Sequence, residues 1–332
     1  MINLNFDMKQ EINNVFESIG INVKNYSKID TYLNKVYRVK TDKGNFYLKI
    51  YETLEEKKVA LKLSKLYPLL LKKGIPVPKV IKFDDSLNLI KFPYLVITEV
   101  EGEMLCDKIL LMSNEEKISF YHDFGITLGK IHTITFNQFG ETFDLKTIEP
   151  FIEANDKGPF KIYKEMHKEI VDYRLEYFKD TYFEDLINPI KNYFSQNSHL
   201  IDYVIVPRLL HIDLNQKNIF VKDNKISGII DFDGAFIGHN EEELMRIEGA
   251  NFATDLISKD AFFKGYTKII QLDRNYDKRR VFYYLSRLLV NIDCLIKYKK
   301  DYVDDIDSKQ EILKQEIYDI LEGKKIKFDK NS

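Results

Sequence analysis

The sequence predicts an α+β fold, and three observations predict it. Residues 35–50 and 218–230 each read as two β-favouring runs meeting at a polar turn, the pattern of a hairpin. Long downstream stretches repeat apolar residues every three or four positions, the helical period. At 332 residues the chain can bury a large core, and two lobes or domains are expected.

Phe6 to Ile19 carries apolar residues at helical spacing through Met8, Ile12, Val15, Phe16 and Ile19, so a helix precedes the first strands. Lys35–Lys40 and Asn45–Ile50 flank the turn Thr41-Asp42-Lys43-Gly44. In the second of these strands Phe46, Leu48 and Ile50 share one face, which leaves Lys49 on the other. The next stretch places Glu56, and not Glu55, in one stripe with Val59, Ala60, Leu63, Leu66 and Leu70. Pro68 predicts a kink or a second short helix.

Gly74-Ile75-Pro76-Val77-Pro78 reads as a loop into strands at 80–83 and 94–100. Ser113 three residues before Glu116 is a capping-box pattern that starts a helix running to His132. His122 and His132 have no partner at ligand spacing and read as packed or solvated side chains. Weaker helical patterns at 160–178 and 182–194, then firmer ones at 281–296 and 306–321, complete the chain.

Composition excludes several classes. Lys and Arg total 50 against 52 Asp and Glu, so no strong field draws the protein to nucleic acid or an anionic membrane, and neither is expected as a partner. The N-terminus lacks the basic and apolar regions of a secretory signal, and no apolar run reaches bilayer length, so the expected location is cytoplasmic. Cys106 and Cys294 match no metal or redox spacing.

The chemistry concentrates in Leu210–Gly234, LHIDLNQKNIFVKDNKISGIIDFDG. With Asp223-Asn224 as a two-residue loop, counting outward pairs Asn218 with Ile229 and brings Asn218 and Asp231 to one open end of the hairpin. An amide oxygen and a carboxylate suit Mg²⁺, which takes few protein ligands and fills its octahedron with water and phosphate oxygens. Asp213, five residues upstream of Asn218, is left to act as a base.

The pattern H-x-D-x-x-x-x-N, followed 13 residues later by the Asp of I-D-F-D, resembles the catalytic core of the aminoglycoside phosphotransferase and choline kinase-like family, relatives of the protein kinases. The resemblance runs from about Tyr26 to Glu248 and is most specific at 210–234. It implies a protein-kinase-like fold, with a small N-terminal nucleotide-binding lobe of antiparallel strands and a helix over 1–100, a hinge near residue 100 and a larger, mostly helical catalytic and acceptor-binding lobe over 101–332. It also implies transfer of the γ-phosphoryl of ATP or GTP to a small-molecule hydroxyl. Asp213 is then the base, His211 buttresses its loop, Asn218 and Asp231 hold Mg²⁺, and Lys49 contacts the α- and β-phosphates with Glu56 of the next helix as its expected carboxylate partner. By position, the backbone of Glu99 and Val100 reads the adenine edge.

Residues 29–34 lack the glycines that cover the phosphates in protein kinases, which argues against a protein kinase more than against phosphoryl transfer. Glu149, Glu153 and Asp156, with Glu241, Glu242, Glu243 and Glu248, predict an acidic rim suited to a cationic acceptor such as an aminoglycoside. In this family an Asp is typical near Glu243, and Glu there keeps a structural role plausible. Alternatives are a kinase for choline, homoserine or a sugar derivative, and a non-catalytic nucleotide-binding or coat-associated protein.

Overall fold

The computed structural model describes residues 4–31, 34–142, 150–151, 159–252, 255–297 and 305–324. Contacts divide the chain into two compact units. The first comprises the described residues of Met1–Leu111 and Lys217–Asp233; the second comprises those of Met112–Thr142, Ile148–Gln216 and Gly234–Ser332. The hairpin at 218–230, expected in the larger lobe, thus groups with the N-terminal strands.

The first unit is built on a five-stranded antiparallel sheet of β1 (Val23–Ile29), β2 (Lys35–Thr41), β3 (Gly44–Ile50), β4 (Val80–Asp84) and β5 (Tyr94–Thr98), in the order β1-β2-β3-β5-β4. Strands β2 and β3 meet at Asp42-Lys43, and Gly44, at φ 112°, supplies the conformation that closes the turn. Helix α1 (Leu4–Glu17) buries Ile12, Val15 and Phe16 against Val39, Phe46, Leu48 and Val96 on one sheet face. That leaves the Lys49 face of β3 for other work.

Helix α2 (Leu54–Lys72) follows β3 and is continuous through Pro68. The expected break does not occur, because buried Leu66, Tyr67 and Leu70 pin the turn on either side and Tyr67 packs edge-on against Phe232 at 6.0 Å. Tertiary packing here outweighs the one helical bond that proline cannot make. A second sheet of β6 (Glu103–Met104), β10 (Ile219–Lys222) and β11 (Lys225–Ile229), with the short α3 (Leu105–Lys108), contains the hairpin at 218–230.

The second unit is mainly helical: α4 (Asn114–His132), α5 (Tyr163–Glu176), α6 (Ile187–Asn197), α7 (Asn240–Asn251), α8 (Leu256–Tyr266), α9 (Tyr276–Lys297) and α10 (Ile306–Leu321). Two small ribbons, β7 (Glu141–Thr142) with β8 (Pro150–Phe151) and β9 (Arg208–Leu210) with β12 (Phe236–Gly238), complete it. Ser113 and Glu116 form the expected capping box. Helices α4 and α8 pack so closely that a Cβ at Gly125 would lie 2.0 Å from the Phe262 carbonyl oxygen. Helix α9 packs against α5, α7 and α10, and its Phe282, Leu285, Leu289 and Ile292 are at the centre of the larger core. No described helix is long and apolar enough to cross a membrane.

Candidate active site

In the first unit, β10 and β11 turn at Asp223 (φ 51°) and Asn224 (φ 56°), two residues that tolerate the left-handed region a tight hairpin demands. Lys222 pairs with Lys225 as the sequence predicts, but the register then shifts between Phe220 and Val221. Ser227 is the extra residue, and its hydroxyl donates to the Glu101 carbonyl at 2.5 Å. The bulge corrects the expected pairing: Ile219 now faces Ile229, and the Asn218 carbonyl accepts the Ile230 N–H at 3.0 Å. Gly228 lies so close to Val100 that an added Cβ would meet its Cγ1 at 2.1 Å.

Asn218 is buried, and Asp231 is exposed with φ 67°, a conformation that costs a non-glycine residue energy and re-aims its side chain. Lys49 Nζ lies 2.9 and 3.0 Å from the two carboxylate oxygens of Asp233. Burial alone would lower the Lys49 pKa, but the charges of Asp233 and Asp231 raise it above the usual lysine value.

Glu56 does not pair with Lys49. Its carboxylate turns back to accept the N–H groups of Glu52 at 2.6 Å and Thr53 at 3.3 Å, completing a capping box with Thr53. The main-chain donors at the start of α2 have no partner within the helix, and Glu56 is the residue placed to satisfy them.

Helix α2 instead contributes Lys62, which sequence reasoning missed. It is 1% exposed, and its Nζ donates to the Asp233 carbonyl at 2.7 Å, so it holds the turn that carries Asp231 and Asp233. Asn34 Nδ2 reaches Asp233 at 3.4 Å, while Asn34 Oδ1 and the Tyr51 hydroxyl are buried without a hydrogen-bond partner among the described residues.

Among the described residues no cluster of three His, Cys, Asp or Glu side chains could hold a metal by itself. The pair Asn218 and Asp231 fits Mg²⁺ nonetheless, since hard oxygens in small number are what that ion takes when phosphate supplies the rest. At the expected nucleobase position, the Glu99 N–H is committed to the Asn45 carbonyl at 3.1 Å, and the Glu99 carboxylate is held by Arg38, Asn45 and Tyr47. Of the donors expected there, only the Val100 N–H remains a candidate.

In the second unit, β9 delivers His211, Ile212 and Asp213. Ile212 has φ 69°, a strained value for a β-branched residue, and Glu243 holds it there. The Glu243 carboxylate accepts the Ile212 N–H at 2.6 Å and the His211 N–H at 3.1 Å. His132 lies 2.8 Å from the same carboxylate and 2.8 Å from the Tyr266 hydroxyl.

Burial would raise the Glu243 pKa, but the His132 contact, the charges of both histidines and the Ile212 N–H hold it below the usual glutamate value. His211 is fully buried behind this loop, whereas Asp213 is exposed, with Oδ1 accepting from Asn215 at 3.2 Å.

The expected acidic rim is overturned at its four downstream members. Glu241 is buried in a bidentate pair with Arg279, and Glu243 is fully buried as described. Glu248 is buried against Lys259, Arg280 and Tyr276. Glu242 binds Arg246 at 3.1 Å and the Tyr163 hydroxyl at 3.1 Å. The field of each is taken up internally. Glu149, Glu153 and Asp156 lie outside the described residues.

An antiparallel five-stranded unit with a lysine facing an acidic turn, and a helical unit presenting an H-x-D loop, define the protein-kinase-like fold of the small-molecule kinases. The chain belongs to the phosphotransferase enzyme family, whose model matches residues 28–266. Among solved structures it is similar to a fructosamine-3-kinase candidate from Haemophilus somnus 129PT, at 15% identity over 94% of this chain and 99% of that one, with a TM-score of 0.66. The complex of APH(2'')-IIa with streptomycin and ATP matches at 15% identity over 97% and 99%, with a TM-score of 0.67. The GDP complex of aminoglycoside 2'-phosphotransferase-IIIa matches at 14% identity over 97% and 99%, with a TM-score of 0.63. No curated protein sequence matches the chain.

Proposed function

We propose that the protein transfers the γ-phosphoryl group of ATP or GTP to a hydroxyl of a small molecule, with Mg²⁺ held by Asn218 and Asp231. Bound there, the ion would offset charge on the phosphates. Lys49 exchanges its hold on Asp233 for the nucleotide's phosphates, Lys62 keeps the Asp231–Asp233 turn in place, and the backbone at Val100 receives the base. Asp213 orients the acceptor hydroxyl and takes its proton as the oxygen attacks phosphorus in line.

The observation that carries this reading is the grip of Glu243 on two successive N–H groups, which fixes a strained loop and leaves Asp213 exposed at its end. A carboxylate so held is suited to positioning, and phosphoryl transfer is mostly positioning and electrostatics. Nucleotide as the donor is in keeping with a cytoplasmic protein.

An aminoglycoside acceptor is supported by the streptomycin complex of a similar fold. The internal pairing of Glu241, Glu242, Glu243 and Glu248 removes the charge argument for it. The test is turnover of a panel of alcohols with radiolabelled ATP and GTP by the wild type and Asp213→Asn. The variant should retain nucleotide binding and lose about 100-fold or more in turnover. Wild-type turnover by Asp213→Asn ends the proposal, and nucleotide binding with no acceptor turned over selects the non-catalytic alternative.

A further inference from the structure

The charges around Asp213 within the second unit run opposite to the expectation from sequence. Arg246, one turn along α7 from Glu242, points a guanidinium nitrogen at the Ile212 carbonyl at 3.5 Å, next to Asp213. Its Nε–H is buried with no acceptor among the described residues, and the same is true of Arg174 Nε on α5. Arg174 and Lys297 share the single carboxylate of Asp293. Arg287, half-buried in the middle of α9, has no carboxylate within ion-pair distance among the described residues.

Burial and the nearby charges of Arg246 and Arg174 pull the Arg287 pKa down to about 10, against the opposing pull of Asp213. Burial is the larger cause, and the two arginines add to it, so Arg246, Arg174 and Arg287 act on one another as like charges. Among the described residues four cations, Arg174, Arg246, Arg287 and Lys297, meet three carboxylates, Glu242, Asp293 and Asp213.

We propose that the acceptor is an anionic alcohol, a hydroxyl compound bearing a carboxylate, phosphate or sulfate that Arg246 and Arg287 bind while Asp213 receives the hydroxyl. This rests on the phosphotransferase reading above and narrows it. Arginine suits the task, because its planar fork bonds such oxyanions through two parallel N–H groups. A polycation offered to the same region would meet repulsion.

The experiment measures kcat/KM for matched acceptors with Mg·ATP and Mg·GTP on the full chain. D-gluconate and D-glucose 6-phosphate are the anionic members, D-glucose is neutral, and kanamycin and choline are cationic. An anionic member should exceed D-glucose by about tenfold or more, the scale of one charge-assisted contact. Arg287→Gln and Arg246→Gln should then raise its KM by about 10–100-fold, with Arg287→Lys intermediate and the Kd of a non-hydrolysable nucleotide unchanged.

Preference for D-glucose or a cation overturns the inference while leaving phosphoryl transfer standing. So does an unchanged KM in arginine variants whose thermal melts show them folded. Turnover of no alcohol by a wild type that binds nucleotide defeats both.

Discussion

Lys49 on β3 and Asp233 after β11 are joined by two contacts, at 2.9 and 3.0 Å, although 184 residues separate them in sequence. The pair is 14% and 20% exposed, so it is desolvated enough to matter and open enough to exchange partners. Removing either member leaves a partly buried charge. Lys49→Met and Asp233→Asn should each lower stability by about 1–3 kcal/mol, and the double variant should lose less than the sum. Urea unfolding of the four proteins reads that coupling directly, and additive losses would show the pair to be energetically idle.

Lys62 should matter to the metal rather than to the fold. With Lys62→Met the stem still fills its buried position, but the donor to the Asp233 carbonyl is lost. The Mg²⁺ concentration giving half-maximal nucleotide binding should rise by about tenfold, the scale of a lost hydrogen bond from a charged group. A binding titration at fixed nucleotide measures it, and an unchanged midpoint would restrict Lys62 to packing.

Glu243 is the corresponding test in the second unit. Glu243→Ala orphans two backbone donors and the His132 ring, and should cost about 3–5 kcal/mol of stability. Glu243→Gln keeps one strong acceptor and should fold. Its effect belongs in kcat, down about tenfold or more, with nucleotide affinity unchanged, since it orients Asp213 only through the loop. A change confined to nucleotide affinity would contradict this placement.

Acid should weaken the fold through buried histidine. His167, bonded to Ser286 at 2.8 Å, is pushed down to about 3 by burial, and His239 is also lowered by burial and nearby arginines. An unfolded histidine takes up a proton near pH 6.5, whereas folded His167 resists until about 3. Its neutral form therefore supports stability in full above about pH 6.5, and that support is lost as pH falls toward 3, by up to about 1.4 kcal/mol per pH unit. Replacing it by Gln should flatten the slope of unfolding free energy between pH 6 and about 4; an identical slope would show another group to be responsible.

Much of this was legible in the chain. Local patterns with a fixed period or spacing, such as the Asp223-Asn224 turn, the alternation that isolates Lys49 and the Ser113 capping box, appear where the sequence places them. Glu56 shows a legible signal outranked by another. Thr53 stands three residues before it, the same capping pattern as Ser113 and Glu116, and the unsatisfied main-chain donors at the helix start claim the carboxylate ahead of Lys49.

The rest depends on contacts that no local pattern encodes. Lys62 sits inside an apolar stripe, where a lysine ordinarily signals an interruption rather than a ligand. The run Glu241-Glu242-Glu243 reads as a solvated surface until Arg279, Arg246 and His132, distant or one turn away, are brought against it. The Ser227 bulge needs Glu101 as its anchor, 126 residues earlier.

The missing side chain at Gly228 has one last implication. Because even a methyl group there would collide with Val100, the strand proposed to position the ion's ligands and the segment proposed to receive the nucleobase cannot drift independently. Evolution could retune one only by moving both, so a preference for adenine over guanine and the tightness of the cation should change together across descendants of this chain.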